Sequence, residues 1–251
     1  MTKKRLQTRQ CTTEEEIRQF FEETALEYRE AHGDEDKLLQ YRMALLIQQA
    51  RLKQEDVVLD VGCGNGHHLF YIVPSIKYGI GVDFSRNMIE SAQKALKTSP
   101  HAHKLQFQVD KAQNLTTVAK NSINLVMCVG SFEHMLEKEE VIQQFYRVLK
   151  PGGRLLLMTP NGKYFWYRVI APLFRYDIRH LSTDLFMSAS QLTSMLYEGR
   201  FSRIHINYWT FIPRGDMSDF WASLLAILDF IGRCTGIARL RGGIIVKADK
   251  G

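Results

Sequence analysis

Apolar residues recur at helical spacing near the start of the chain. Thr13 and Glu16 have the spacing of a capping box, and the apolar positions that follow them predict an amphipathic helix. A second helix is predicted over about residues 37–52. The pattern therefore predicts a helical N-terminal cap over residues 1–52, followed by a second unit over residues 53–251.

After this cap the apolar pattern changes to short β-branched runs separated by amphipathic stretches. Such runs indicate buried strands, and strands that alternate with helices predict a parallel sheet with right-handed crossovers. The predicted strands cover residues 57–61, 78–82, 105–109, 123–129 and 154–158, and helices between them cover 88–96 and 141–149. This part of the chain is therefore predicted to form an α/β sheet.

The C-terminal part adds two strands and an apolar insertion. A helix is predicted over residues 190–198, and strand-like runs at 203–211 and 243–247 are expected to pair antiparallel at a sheet edge. The predicted fold class is α/β, with a seven-stranded, mostly parallel sheet and an antiparallel edge strand. An insertion over about 213–240 contains the apolar block 220–231, which is too short for a membrane-spanning helix of about 20 residues.

Composition and charge narrow the class of protein only slightly. The 251 residues are 45% apolar and 24% charged, as in a globular protein with one large domain. The net charge of +6 is compatible with nucleic acid, an anionic membrane or solubility alone. The four cysteines form no C-x-x-C pair, which argues against zinc or disulfides and favours a reducing compartment. The basic N-terminus lacks the apolar stretch of a secretory signal, so the predicted location is cytoplasmic.

Candidate chemistry begins at the glycine-rich turn after the first predicted strand. Gly62, Gly64 and Gly66 follow Asp60 there, and glycines let a backbone turn tightly and approach a ligand closely. Their G-x-G-x-G spacing differs from the G-x-G-x-x-G of dinucleotide sites. Asp83 ends the second strand, where a carboxylate can accept hydrogen bonds from both hydroxyls of a ribose.

These features resemble the class I S-adenosylmethionine-dependent methyltransferases. The similar segments are residues 60–66, Asp83, 109–112, 123–134 and 145–153, in the family's order. Within the family, the pattern is most similar to the ubiquinone-biosynthesis O-methyltransferase-like group (methyltransferase type 11). The resemblance implies a Rossmann-like fold, an enzyme that transfers a methyl group, S-adenosylmethionine as cofactor and S-adenosylhomocysteine as product.

The resemblance also implies roles for single residues. The glycine-rich turn would hold the methionine end, Asp83 the ribose and Asp110 the adenine amino group. The predicted cofactor-binding residues are Asp60, Gly62, Cys63, Gly64, Gly66, Asp83, Phe84, Asp110, Lys111, Ala112, Val129 and Gly130. Alternatives remain: the glycines as a tight turn only, Asp83 as a helix N-cap and Asp110 as a solvated loop acid. The related group has a further glutamate, proposed to help hold a metal, where this chain has Gly130, so no metal site is predicted.

Two histidines are candidates for a catalytic base. Methyl transfer requires mainly alignment and exclusion of water, but a hydroxyl or activated carbon acceptor benefits from a base. His134 follows the fourth strand and His180 follows the fifth; a structural histidine and a loop anchor, respectively, are the alternatives. Glu133, Tyr28 and Asp177 are secondary candidates.

The apolar block suggests what the acceptor and the partners are. With the arginines at 233, 239 and 241, it has the composition of a membrane-surface element or of a lid over an apolar pocket; a helix packed on the sheet or in a homodimer interface is the alternative. We therefore expect a lipophilic small-molecule acceptor such as a quinone precursor, methylated on oxygen or carbon. Peripheral membrane contact through residues 213–241 is also expected.

Three other functions remain open at this point. An RNA or protein methyltransferase is compatible with the charge, but residues 129–132 lack the Asn/Asp-Pro-Pro-aromatic turn that grips a flipped adenine, and no basic and aromatic cluster is evident. Nucleic acid is therefore not an expected partner. A cofactor-binding, non-catalytic subunit of a membrane-associated complex is the second alternative, and a use of the cofactor other than methyl transfer is the third.

Overall fold

Seven strands form one sheet in the structure, a computed structural model that describes residues 8–25, 35–210 and 219–251. The strands are β1 (Val57–Val61), β2 (Tyr78–Asp83), β3 (Leu105–Val109), β4 (Ile123–Val129), β5 (Leu149–Pro160), β6 (Phe201–Trp209) and β7 (Gly243–Lys250). Their order in the sheet is β3-β2-β1-β4-β5-β7-β6. The neighbouring pairs from β3 to β5 are parallel, and β7 runs antiparallel to both of its neighbours.

Helices cover both faces of this sheet. Within the described residues the α-helices are α1 (Glu14–Thr24), α2 (Glu35–Ala50), α3 (His67–Ile72), α4 (Arg86–Leu96), α5 (Lys138–Val148), α6 (Ala171–Leu173), α7 (Ala189–Glu198) and α8 (Asp219–Thr235). A π-helical turn, Trp166–Ile170, leads directly into α6. None of the described helices is both long enough and apolar enough to cross a lipid bilayer.

The predicted fold class is confirmed, and several predicted boundaries differ by a few residues. β5 begins at Leu149 instead of residue 154, because the chain turns directly from α5 into the sheet and Leu149 pairs with Ile123. The reversed strand β7 lies between β5 and β6, one position inside the edge. The predicted strand at 203–211 begins earlier, at Phe201, and the position 211 lies outside the described residues.

Side chains of the central strands alternate between two hydrophobic cores. Leu59 and Val126 belong to the core beneath α5 and α7, whereas Val58 and Leu125 belong to the core beneath α2, α3 and α4. A strand buried on both faces needs a continuous apolar run, as the sequence has here. The two cores hold the strand ends in place and thereby position the loops at the carboxyl edge of the sheet.

Both helices of the predicted N-terminal cap pack against the rest of the chain. Thr13 and Glu16 form the predicted capping box of α1. Met43 and Leu46 of α2 are buried in the core on one face of the sheet. The boundary at residue 52 stays a prediction, and residues 1–7 and 26–34 of the predicted cap lie outside the described residues.

We predict that Phe145→Ala lowers the free energy of unfolding by about 3–5 kcal/mol, because its fully buried ring leaves a cavity under α5. Denaturant unfolding followed by circular dichroism and by tryptophan fluorescence measures this change. Tyr71→Ala, at a half-exposed position of α3, is the control and should change stability by less than about 0.5 kcal/mol. Equal losses in both variants would contradict the assigned core.

Candidate functional site

A cavity of about 220 Å³ opens at the carboxyl ends of β1, β2 and β4. The order of the strands reverses at β1, and open α/β sheets bind ligands in the crevice at such a switch point. Its wall includes residues of the glycine-rich turn, the ends of β2 and β4, the loop after β3, and helices α1 and α2. The cavity is therefore where the sequence placed the cofactor.

The glycine-rich turn has a backbone conformation that favours glycine. Gly62, Gly64 and Gly66 have φ angles of 71°, 53° and 84°. A Cβ on Gly62 would lie 2.5 Å from the side chain of Ser131, so the turn packs tightly against the loop after β4. A Cβ on Gly64 would instead find its nearest neighbour 3.9 Å away, at Met88 Sδ. Gly64 thus lies where the backbone borders open space in the cavity.

The carboxylate of Asp83 is buried and accepts two backbone hydrogen bonds. Gly64 N–H donates to Oδ2 and Ser85 N–H donates to Oδ1, both at 2.9 Å. Burial raises the pKa of Asp83 to about 6, although both hydrogen bonds act in the opposite direction. The side chain of Ser85 caps α4 by accepting from Met88 N–H, so Asp83 is not the N-cap.

Two buried polar atoms near the cavity have no hydrogen-bond partner within the parts of the chain that the structure describes. Asp60 lies behind the wall and is fully buried; its Oδ2 is 3.3 Å from Nδ1 of His68, which lines the cavity. Asp60 Oδ1 and Nε of Arg42, a further lining residue, lack a partner. Unpaired buried polar atoms are costly, so both atoms are suited to a polar ligand group or to water bound to one.

The loop after β3 is organised by Asp110. Its carboxylate accepts hydrogen bonds from the backbone N–H of Lys111 and of Thr117, both at 2.8 Å. Asp110 is 8% exposed and lines the cavity, so it is not a solvated loop acid. Lys111 does not line the cavity itself, but it pairs at 2.5 Å with Glu14 of α1, which does.

Helix α1 covers one side of the cavity. Ile17 and Phe21 line the wall, and the carboxylate of Glu22 accepts hydrogen bonds from the backbone N–H of Arg86 and Asn87 at 2.8 and 2.9 Å. These are the first two residues of α4, whose unpaired N–H groups favour an anion. Glu22 thereby joins α1 to the N-terminus of α4, where Asp83 accepts the N–H of the N-cap residue Ser85.

A histidine–carboxylate pair lies at the wall after β4. Nδ1 of His134 is 2.6 Å from Oδ1 of Asp184, and His134 lines the cavity. Asp184 Oδ2 accepts the backbone N–H groups of His180 and Leu181, both at 3.0 Å. Because Nδ1 is held by Asp184, Nε2 of His134 is the nitrogen left for proton exchange with a ligand.

The contact between His134 and Asp184 shifts the pKa of both side chains. Burial favours the neutral form of each partner, but the hydrogen bond and the charge of Asp184 outweigh it, so the pKa of His134 is above its ordinary value. The same contact with His134 outweighs burial and lowers the pKa of Asp184. Neighbouring Glu133 is buried, accepts from Thr159 Oγ1 at 3.1 Å and has a pKa raised by burial. Glu133 lies behind the wall, whereas His134 forms part of it.

The other candidates have different roles. His180 packs its ring at 6.1 Å from His134 and lies outside the cavity lining. Asp177 accepts from the backbone N–H of Thr8, and Tyr28 lies outside the described residues. Burial raises the pKa of the Cys63 thiol well above its usual value, so Cys63 stays protonated.

Most of the predicted cofactor residues share the cavity wall. The predicted residues that line it are Gly62, Cys63, Gly64, Asp83, Phe84, Asp110, Ala112, Val129, Gly130 and His134, whereas Asp60, Gly66, Lys111 and His180 do not. Sequence reasoning missed the lining residues Glu14, Ile17, Phe21, Arg42, Met88, Gln113, Met135 and Leu136, and also Asp184. No motif marks these positions. Among the described residues, no three His, Cys, Asp or Glu side chains are grouped so as to hold a metal ion.

The structure is that of a Rossmann-like α/β protein with a cavity at the switch point of its sheet. A family model described as a methyltransferase domain matches residues 52–201. The chain belongs to this family and is a class I S-adenosylmethionine-dependent methyltransferase. The expected enzyme class and cofactor are thereby confirmed.

Curated relatives share the same domain at low identity. A demethylmenaquinone methyltransferase of Lactiplantibacillus plantarum is 26% identical over 65% of this chain and 77% of its own length. A thiol S-methyltransferase of Rattus norvegicus is 28% identical over 52% of this chain and 56% of its own length. A ubiquinone biosynthesis O-methyltransferase of Coxiella burnetii is 25% identical over 63% of this chain and 68% of its own length.

Solved structures show the same fold. The cyclase SpnF has a TM-score of 0.70 at 18% identity, covering 98% of both chains. A phosphoethanolamine N-methyltransferase of Haemonchus contortus in complex with S-adenosylmethionine has a TM-score of 0.58 at 16% identity, covering 84% of this chain and 52% of that one. At this identity the similarity extends to the fold alone.

We predict that Asp184→Asn lowers the pKa of His134, because the neutral amide removes the charge that stabilises the imidazolium. A nuclear magnetic resonance titration of the histidine ring signals measures the shift. Exposed His103, which lies outside the cavity lining, is the internal reference in both proteins. An unchanged His134 curve would show that the contact with Asp184 does not persist in solution.

Proposed function

We propose that the protein transfers the methyl group of S-adenosylmethionine to an oxygen or carbon of a small lipophilic acceptor, with His134 as the base. The observation that carries this proposal is the His134–Asp184 pair on the wall of the cavity that contains the glycine-rich turn. A histidine with its second nitrogen held by a carboxylate is the usual arrangement of a general base.

The residues around the cavity are suited to the cofactor. Gly64 leaves room beside the turn, and the carboxylate of Asp83 keeps acceptor capacity for ribose hydroxyls beyond its two backbone hydrogen bonds. The guanidinium of Arg42, with its unpaired Nε, is suited to the carboxylate of the methionine moiety. The carboxylate of Asp60 would interact with the ammonium group of the methionine moiety through a water molecule or through His68. When bound, S-adenosylmethionine supplies an electrophilic methyl group.

The chain's own residues would then prepare the acceptor. Nε2 of His134 accepts the proton of a hydroxyl or an acidic carbon, and Asp184 stabilises the imidazolium that results. Phe21 packs at 5.2 Å from the ring of His134 and at 6.0 Å from that of Phe84. This aromatic wall excludes water from the base, which favours transfer to the acceptor over side reactions.

The acceptor class follows from the apolar part of the wall and from the relatives. Met135 and Leu136 follow His134 directly and line the cavity, and Leu136 is 44% exposed. An apolar mouth favours a lipophilic acceptor over a charged one. The names of two relatives refer to demethylmenaquinone and to ubiquinone biosynthesis, which supports a quinone precursor. A thiol acceptor is the second candidate, on the name of the rat relative.

We predict that calorimetric titration detects binding of S-adenosylmethionine and S-adenosylhomocysteine to the wild-type protein. Gly64→Arg should abolish this binding, and Asp83→Ala should weaken the binding free energy by about 1–3 kcal/mol. Arginine at position 64 would fill the cavity at a strained φ of 53°. Gly152→Arg is the matched control, because Gly152 has a φ of 73° and open surroundings away from the cavity. Unchanged affinity in Asp83→Ala would show that the ribose lies elsewhere.

We predict that His134→Gln lowers kcat for a quinol or phenol acceptor by about 10²–10⁴-fold, the usual contribution of a base, with cofactor affinity retained. The pKa of His134 is raised, and only its neutral form accepts a proton, so wild-type activity should fall as the pH drops through that raised pKa. In Asp184→Asn this acidic limb should move to lower pH. Steady-state rates against pH measure both effects, with His103→Gln as control. Full activity of His134→Gln would exclude His134 as the base. Methyl transfer to RNA or protein substrates alone would exclude a small lipophilic acceptor.

A further inference from the structure

Helix α8 exposes an apolar face. Phe220, Ile227 and Phe230 are 69%, 58% and 56% exposed. They lie seven and three residues apart, so they occupy one side of the helix. Leu225 and Asp229 on the opposite side are buried. A helix with its apolar residues turned both outward and inward is not a typical surface helix of a globular protein.

A second exposed apolar group continues this face. Leu173 and Phe174, at the end of α6, are 72% and 50% exposed. The ring of Phe174 lies 5.1 Å from that of Trp221, and the ring of Phe220 lies 5.3 Å from that of Trp221. We call Leu173, Phe174, Phe220, Ile227 and Phe230 together the α8 surface.

Exposed basic side chains occur in the two segments that form the α8 surface. In the described parts of segments 163–180 and 220–241, the exposed basic residues are Lys163, Arg168, Arg175, Arg179, Arg233 and Arg239, whereas Asp177 is the exposed acid. Arg175 follows Phe174 directly, and the guanidinium of Arg233 lies 5.3 Å from the ring centroid of Phe230. Arg241 pairs with buried Asp229 and adds nothing to this charge. The surface thus combines exposed apolar groups with a positive rim formed by Arg175 and Arg233, which adjoin Phe174 and Phe230.

The topology places the α8 surface at the same edge of the sheet as the cavity. The segment that contains α8 connects the end of β6, at Trp209, to the start of β7, at Gly243. Gly243 pairs with Pro160 at the carboxyl end of β5. A contact path also connects the two. Phe186, two residues after Asp184, packs at 4.8 Å from Tyr167, which belongs to the same hydrophobic cluster as Leu225.

We propose that the α8 surface docks on an anionic lipid bilayer. Its apolar side chains would enter the boundary between headgroups and acyl chains, and the arginine rim would contact the anionic headgroups. A second copy of the chain fits less well, since a two-fold interface would bring two positive rims together. This inference goes beyond methyl transfer and does not depend on the identity of the acceptor.

Vesicle flotation of the full chain tests the proposal. We expect binding to vesicles of phosphatidylcholine mixed with phosphatidylglycerol, weaker binding to phosphatidylcholine alone, and release as salt is raised. Phe220→Ser combined with Ile227→Ser should weaken binding at least about tenfold, because two apolar side chains lose their burial in lipid. Arg175→Glu combined with Arg233→Glu should weaken it at least about fivefold.

Matched variants separate docking from general effects. Tyr197→Ser removes an equally exposed aromatic residue from α7, and Lys94→Glu reverses a charge on α4; both should bind vesicles like wild type. Thermal unfolding and cofactor titration of every variant verify the fold, so failure of docking is distinguishable from failure of the proposed function. Equal binding to neutral and anionic vesicles, or no vesicle binding, would overturn the proposal. So would a wild-type dimer in sedimentation that the α8 variants dissociate.

Discussion

The buried carboxylate of Asp83 joins the two turns that form the floor of the cavity. One oxygen accepts from Gly64 in the turn after β1, and the other accepts from Ser85, the N-cap of α4. A carboxylate removed from water is costly unless it is paired with donors, so these contacts tie the two turns to each other. The left-handed glycines allow the first turn to approach Asp83, and Ser131 packs against Gly62 from the end of β4. Three strand ends are thus held in one geometry.

Around this floor, the wall is completed by elements distant in the chain. Glu22 of α1 accepts from the first two residues of α4, and Glu14 pairs with Lys111 after β3. Both contacts join the N-terminal helix to loops that already border the cavity. The N-terminal helix therefore forms part of the cavity wall, although the matched family domain begins only at residue 52.

The His134–Asp184 pair connects the cavity wall with the C-terminal half of the chain. The carboxylate of Asp184 accepts hydrogen bonds from the backbone N–H groups of His180 and Leu181. It also accepts a hydrogen bond from Nδ1 of His134 at the cavity wall. The segment that supplies Asp184 continues through Phe186 into the aromatic cluster beneath α8. In our proposal, contacts through this segment therefore connect the base near the sulfonium and the lipophilic acceptor with the lipid-facing surface.

The sequence by itself determined most strands and helices of the sheet, because period and caps are local properties of the chain, and its resemblance to a known family indicated the cofactor class. Thr13 and Glu16 cap α1, and the apolar runs at 57–61 and 123–129 are β1 and β4. Only the tertiary structure decided which side chains meet at the cavity. Arg42 lines it from α2, and Asp184 holds the lining residue His134 from the segment after β5, both far from any motif. Asp60 and Lys111 do not line it. These placements depend on how α1, α2 and the segment after β5 fold over the sheet, and such long-range packing leaves no short pattern in a single sequence.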